Sequence, residues 1–359
     1  MKIHLLSLAH IQNTPEYYLV SFAQTISHFA NICTDLGYQV ILYGSDENCA
    51  RVHEHVSVLS KSAQSIWLGN IEPYRAPWEA PRGLWDTFNA RVIAAMRSRA
   101  EPGDLICSIG GHSQKTVFDA FPELLSVEFS CGYQGACAAA IAFESYAWRA
   151  HQYGHWGIKY ARWLDTVIPC YLEPQDFPFN PTPGDYLLYC GRIVKSKGVH
   201  IAARAAQVAG VPLVAIGPVD PSWQWDSNAL VDYRGVVSCQ ERAALLGGAR
   251  AVLMPTEYSE PFGLVLAEAM ACGTPVIGTD WGAFPENIPA FAGAICSSLG
   301  EFVAAIENAR RLDRAKIAAY ARSRFSVDAA KVNYARYFAR IESLAGNYGP
   351  DALFSLPTI

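Results

Sequence analysis

Short apolar runs alternate with helix-like stretches along the chain, and no other feature limits its fold as strongly. In the first half the apolar runs are KIHLLSLAH, QVILYG, GDLICSIGG and LLSVEFS; in the second half they are DYLLYCG, PLVAIG, RAVLMPT and TPVIGTD. Patterns of helical period lie between them, such as VSFAQTISHFANICTDLG and VHIAARAAQVAG. Strands separated by helices predict parallel sheets joined by crossover helices, an α/β class. The proline-rich stretch YLEPQDFPFNPTPGDY (171–186) divides the two series. Two Rossmann-like, doubly wound domains are therefore expected, at 1–170 and 187–326, with 171–186 as linker. A final helical pattern, rich in Tyr, Phe and Ala, begins near 327, and residues 327–359 are expected to pack back on the first domain.

A length of 359 residues suits two domains, and 51% apolar with 17% charged residues describes a globular chain. No apolar run approaches the ~20 residues that span a bilayer, so no transmembrane segment is expected. The start, MKIHLLSLAHIQNTPE, lacks a cleavage pattern and reads as a first strand. Ten cysteines without CxxC spacing fit buried thiols in a reducing compartment, and a cytoplasmic location follows as an expectation. The net charge of -5 hides no basic half, which disfavours nucleic acid as a partner. No D-x-D and no His/Cys/Asp cluster of ligand spacing occurs, so no metal is expected.

Ligands of open α/β sheets bind beyond the carboxyl ends of strands. After RAVLMPT comes the loop EYSEPFG, and a helix is predicted to start near Gly263. Its unpaired first-turn N–H groups form an anion site. Glu260, just before it, either caps the helix or accepts hydrogen bonds from a polyol. Glu268 lies within the apolar LVLAEAMA, where a carboxylate needs a partner. An arginine is one choice, and a vicinal diol such as a ribose is the other. In YCGRIVKSKGVH, Gly191 ends a strand, and Arg192 and Lys197 are either diphosphate ligands or solvated cations. Neither a Walker A loop nor a GxGxxG fingerprint is present.

Together GRIVKSKG, EPFGLVLAEAMACGTPVIGTD and WGAFPENI resemble the retaining family-four glycosyltransferases of the GT-B fold, most strongly over residues 185–290. The resemblance implies two Rossmann-like domains facing across a cleft, and transfer of a hexose-like sugar from a nucleotide-diphosphate donor to an acceptor hydroxyl. Glu268 would hold the ribose hydroxyls, and Glu260 would contact the transferred sugar. Gly191 and the backbone amides of Phe262, Gly263 and Leu264 would complete the donor site. Arg192 and Lys197 would stabilise the departing diphosphate as charge develops, a term often dominant in catalysis. The loop after VDYRGVV (231–237) would line the base. UDP or GDP is the expected carrier, with no further cofactor and no divalent ion. Retention of anomeric configuration, by front-face attack, is also implied.

The first half departs from that family. Its first loop is HIQNTPEYY where relatives carry a GG-containing loop, so His10, Asn13 or Thr14 would replace backbone contacts. SVEFSCGYQG supplies Glu128, Cys131 and Tyr133 where relatives have a histidine, and His112 in GGHSQK is another candidate on the acceptor side. TPEYY, GYQG and FESYAW resemble a little-characterised bacterial and phage subgroup. WLGNIEPYRAPWEAPRGLW (67–85) offers aromatics that either stack on an acceptor or pack into the domain. The acceptor class stays open among a sugar, a small molecule and a lipid-linked glycan. Other readings are a nucleotide-sugar-binding protein without turnover, a transferase acting on modified DNA bases, and a pyridoxal-phosphate phosphorylase. The last lacks a suitable lysine, and a dehydrogenase is disfavoured by the missing fingerprint.

Overall fold

The computed structural model describes residues 1–17, 20–72, 75–76, 80–225 and 231–348, with the backbone alone for 345–348. Its contacts divide the chain into two units. The first comprises Met1–Phe143, Gln152–Ile168 and the chain from Lys331 onward; the second comprises Glu144–His151 and Pro169–Ala330.

The first unit holds seven parallel strands: β1 (Lys2–Leu6), β2 (Gln39–Ser45), β3 (Glu54–Leu59), β4 (Leu105–Ser108), β5 (Leu125–Cys131), β6 (Ala140–Phe143) and β7 (Thr166–Val167). Their order is β3-β2-β1-β4-β5-β6-β7. The helices α1 (Ser21–Asp35), α2 (Lys61–Leu68), α3 (Arg82–Met96) and α4 (Lys115–Ala120) connect them. Helix α5 (Tyr146–His155) follows β6. Strands β4, β5 and β6 are buried along their whole length. Burial on both faces explains why they read as unbroken apolar runs and not as alternating ones.

The second unit holds six parallel strands: β8 (Leu187–Cys190), β9 (Leu213–Ile216), β10 (Val231–Tyr233), β11 (Ala251–Met254), β12 (Val276–Thr279) and β13 (Gly293–Cys296). Among the described residues six helices accompany them: α6 (Val199–Ala209), α7 (Cys239–Gly248), α8 (Leu264–Ala271), α9 (Phe284–Asn287), α10 (Leu299–Asn308) and α11 (Arg314–Phe325). The strand order β10-β9-β8-β11-β12-β13 reverses direction between β8 and β11, which pair through Leu187 and Ala251. At such a switch point the loops beyond the two strands diverge and leave a crevice. Residues 171–186, expected as linker, are part of this unit, with Leu172 and Phe177 buried in its core. Arg314 fastens that stretch by donating from Nε to the Asn180 carbonyl at 2.7 Å. Its other nitrogens donate to the carbonyls of Ala249 and Gly247 and to the Thr274 hydroxyl.

The last helix, α12 (Val327–Tyr348), belongs to the first unit from Lys331 on. Phe29 of α1 stacks on Phe129 of β5 at 3.9 Å, and Tyr334 and Phe338 of α12 meet the Phe29 ring edge-on. The Tyr337 hydroxyl donates to the Leu164 carbonyl at 2.9 Å. Such buried aromatics supply a large share of a core's apolar area. All ten cysteines are free thiols, with Cys49 and Cys239 exposed.

Candidate functional site

The switch point of the second sheet gathers the loops after β8 and β11. Tyr189, buried near the end of β8, donates its hydroxyl to the Arg192 carbonyl at 2.8 Å, which fixes the turn carrying Arg192 to Lys197. Gly198 closes that turn with φ +74°, and a Cβ there would lie 1.7 Å from the Pro255 carbonyl oxygen. Only glycine permits this approach. One further backbone bond, Glu257 N–H to the Ser196 carbonyl at 2.8 Å, joins the two loops directly.

Lys197 and Glu260 meet at this junction. The Lys197 Nζ lies 2.7 Å from Glu260 Oε2, the same oxygen that accepts from the Tyr258 hydroxyl at 2.6 Å. The ammonium also stands 5.0 Å from the centroid of the Tyr258 ring. Glu260 is buried, and its charge is met by this local pair. Its backbone is held as firmly: Ala283 N–H donates to the Glu260 carbonyl at 2.9 Å, and a Cβ on Gly282 would lie 2.5 Å from the Glu260 nitrogen. Arg192, exposed one residue after Gly191, also engages in an interaction.

Helix α8 starts at Leu264 behind Gly263, whose φ of +82° breaks the chain direction between the two glutamates. Glu260 therefore precedes the helix, and no side chain caps it. Phe262 is buried edge-on to Phe325, so its side chain is structural. Glu268 is 1% exposed on α8. Arg242 of α7 reaches its Oε1 at 3.0 Å, while Oε2 has no hydrogen-bond partner among the described residues. Burial pushes the Glu268 carboxyl above its ordinary range, and the Arg242 charge pulls it back in part.

A further carboxylate, Glu144, follows β6 and belongs to the second unit. Burial raises its carboxyl to about 7; a hydrogen bond from the Cys170 thiol opposes the rise, and the Glu260 charge adds to it. Two residues on, the Tyr146 N–H donates to Glu286 at 3.0 Å. Glu286, the glutamate of the FPEN turn, thus accepts from the start of α5.

Residues 184–311 match the model of the family described as glycosyl transferases group 1. This segment belongs to the glycosyl transferases group 1 family. D-inositol 3-phosphate glycosyltransferase of Arthrobacter sp. (strain FB24) is 32% identical over 119 residues, which cover 29% of this chain and 28% of that protein. The chain spans less than half the length of the curated relatives it matches. Sucrose-phosphate synthase from Thermosynechococcus elongatus superposes with a TM-score of 0.70 at 18% identity, covering 96% of this chain and 99% of that one. HepE of Anabaena, solved with UDP, gives 0.64 at 15% identity over 94% of this chain and 100% of its own. With its two parallel sheets, the chain has the GT-B fold.

Within the group 1 segment the structure brings Lys197 and Glu260 into one hydrogen-bonded group, on loops that also carry Gly191, Arg192, Phe262 and Gly263. Leu264 opens the helix behind them. Glu260 does not cap that helix but pairs with Lys197. Three partners escaped the sequence reading: Arg242, Tyr258 and Glu144. Tyr258 sits in the EYSEPFG loop, and Glu144 directly follows a strand, so the strand-end rule could have flagged both. Arg242 had no positional signal, because α7 lies outside the family motifs.

Outside the group 1 segment, the first unit places its candidates less uniformly. His10 is 1% exposed, neither ring nitrogen has a hydrogen-bond partner among the described residues, and burial lowers its pKa to about 4. Its ring packs edge-on against Trp85 at 5.7 Å. Asn13 accepts from the Ser7 hydroxyl at 2.9 Å while its Nδ2 stays unpartnered, and Thr14 Oγ1 is likewise buried. These three follow β1 at the switch point of the first sheet. The Tyr133 hydroxyl is committed to Glu128 at 2.6 Å, and Glu128 also accepts from the N–H groups of Cys137 and Ala138. His112 is exposed, with its ring beside Gly135. Trp67 lies over Gly83 and Trp85 packs on the core; Trp78 lies outside the described residues. Among the described residues no cluster of three His, Cys, Asp or Glu is placed to hold a metal, and no helix is long and apolar enough to cross a membrane.

Proposed function

We propose that the protein is a retaining glycosyltransferase that moves a hexose-like sugar from a nucleotide-diphosphate donor to an acceptor hydroxyl, without a divalent ion. The observation that carries this reading is Glu268. Its buried Oε2 lacks a partner, and a buried carboxylate oxygen without one is costly unless a ligand supplies the hydrogen bond. A ribose diol fits that need. HepE, solved with UDP, makes UDP the first donor to try, with GDP next.

The chain's own residues suggest the steps. Phosphate oxygens arriving beside Lys197 compete with Glu260 for its ammonium. The donor would thereby draw Lys197 toward the diphosphate and free Glu260 Oε2 for a sugar hydroxyl. Arg192 and the first-turn amides of α8 add positive charge where the leaving group develops its negative charge. Glu144, its carboxyl raised to about 7, carries less negative charge toward Glu260 at neutral pH than an ordinary carboxylate would. His10, Asn13 and Thr14 would meet the acceptor, and the cytoplasm is the compartment we infer.

The test is thermal stabilisation by UDP-, GDP-, ADP- and dTDP-sugars, in the wild type and in Glu268→Ala. Binding to the folded state raises its stability by mass action. One nucleotide should shift the wild type with concentration and leave the variant unmoved. A shift equal in both proteins would remove Glu268 from the donor site. Turnover undiminished by a chelator is expected, and loss restored by manganese would overturn metal independence.

A further inference from the structure

A cavity of about 270 Å³ opens at the amino-terminal edge of the second sheet, away from the loops described above. Arg250, which directly precedes β11, lines it together with Arg310 and Arg314. Phe179, Pro181 and Leu312 form its apolar wall. Three guanidinium groups thus share one small space.

Their countercharges are few. Arg314 spends its nitrogens on backbone carbonyls and the Thr274 hydroxyl, with no carboxylate among these partners. Asp313 lines the cavity too, but its Oδ1 accepts from the N–H groups of Ala315 and Lys316 and caps α11. Among the described residues Arg250 and Arg310 are left with one carboxylate, Asp185, whose Oδ1 both approach. That aspartate side chain is 83% exposed, while the Arg250 side chain is only 11% exposed and its Nε has no partner. Two like charges held together by one solvated carboxylate, next to an unpaired buried donor, form an arrangement that an incoming anion completes.

We propose that this cavity is an anion site for a phosphate dianion, free or as the ester of a small molecule. Arg250 and Arg310 present the forked donors that suit a phosphate, and Asp185 holds them in place until it is displaced. The apolar wall would receive the organic part of an ester. The site stands at the strand ends opposite those that carry Lys197 and Glu260, which suits an effector and not a substrate. Arg314 also touches the last turn of α7 and the residue Thr274 just beyond α8, the helices that bear Arg242 and Glu268.

Calorimetric titration of the intact protein with inorganic phosphate, and separately with glucose 6-phosphate, tests the assignment without any sugar donor. Saturable binding is expected in the wild type. Arg310→Gln, at a half-exposed position, should weaken it about tenfold, the loss of one charge-assisted bond. Asp185→Asn removes the competing carboxylate and should tighten it severalfold. A tighter ester than free phosphate assigns the apolar wall to the ligand, and equal affinity assigns the site to phosphate itself. No saturable binding in either the wild type or Asp185→Asn overturns the proposal. So does phosphate binding that Arg310→Gln leaves unchanged, which would place the anion elsewhere, for example at Lys197.

Discussion

Arg242 holds one oxygen of the Glu268 carboxylate at 3.0 Å, and the second oxygen has no partner. The pair is asymmetric in burial as well, with the Glu268 side chain 2% exposed and that of Arg242 29%. Removing the arginine strands a buried charge. Arg242→Met should therefore destabilise the second unit by about 3 kcal/mol. Adding Glu268→Gln in the same chain removes the stranded charge and should recover part of the loss. Urea unfolding of the single and double variants measures both, and a single variant as stable as the wild type would sink the argument.

Two groups converge on Glu260 Oε2, and they separate by kinetics. Lys197→Met deletes the cation proposed to meet the leaving phosphate and should lower kcat about 100-fold or more. Tyr258→Phe removes one hydrogen bond, and its effect should stay near tenfold. Equal losses in the two variants would assign Lys197 a merely structural part.

The loop after β12 supplies a steric test. Gly282→Ala sets a Cβ 2.5 Å from the Glu260 nitrogen at a left-handed backbone position, so Glu260 must shift and transfer should fail. Gly300→Ala, on α10 with open space around it, should be neutral or stabilise by up to about 1 kcal/mol. Activity and melting temperature of both variants decide the point; a fully active Gly282→Ala would mean that Glu260 need not be held where it stands.

Glu144 makes stability depend on pH with a definite sign. Its folded carboxyl titrates at about 7 against an ordinary 4.5, so the folded chain keeps a proton that the unfolded chain has released. The contribution is whole below pH 4.5 and is lost as pH rises through about 7. Glu144→Gln carries no charge at any pH. Its melting temperature should gain on the wild type between about pH 5 and about pH 8, and a constant difference would refute the assignment.

The strand series, the parallel sheets and the two-domain organisation could be read from the residues because fully buried strands leave unbroken apolar runs. The loops carrying Lys197 and Glu260 were legible for a different reason: each follows a strand end and combines a glycine with charged residues before a helix. What stayed hidden was pairing. That Lys197 answers Glu260, or that Arg242 answers Glu268, depends on where crossover helices place residues far apart in sequence. For Glu268 the sequence posed arginine and diol as alternatives, and the structure gives one oxygen to the arginine and leaves the other open. Prolines in 171–186 suggested a linker, yet Leu172 and Phe177 sit in a core. Proline stiffens a chain without exposing it, so composition alone misjudged that stretch.

The return of α12 to the first unit bears on how the chain comes into being. The aromatic surface around Phe29 and Phe129 receives Tyr334 and Phe338 only after the whole second unit has left the ribosome. A fragment ending at Ile168 would leave that aromatic surface uncovered, so a single cut in the middle divides the first unit and yields neither unit whole.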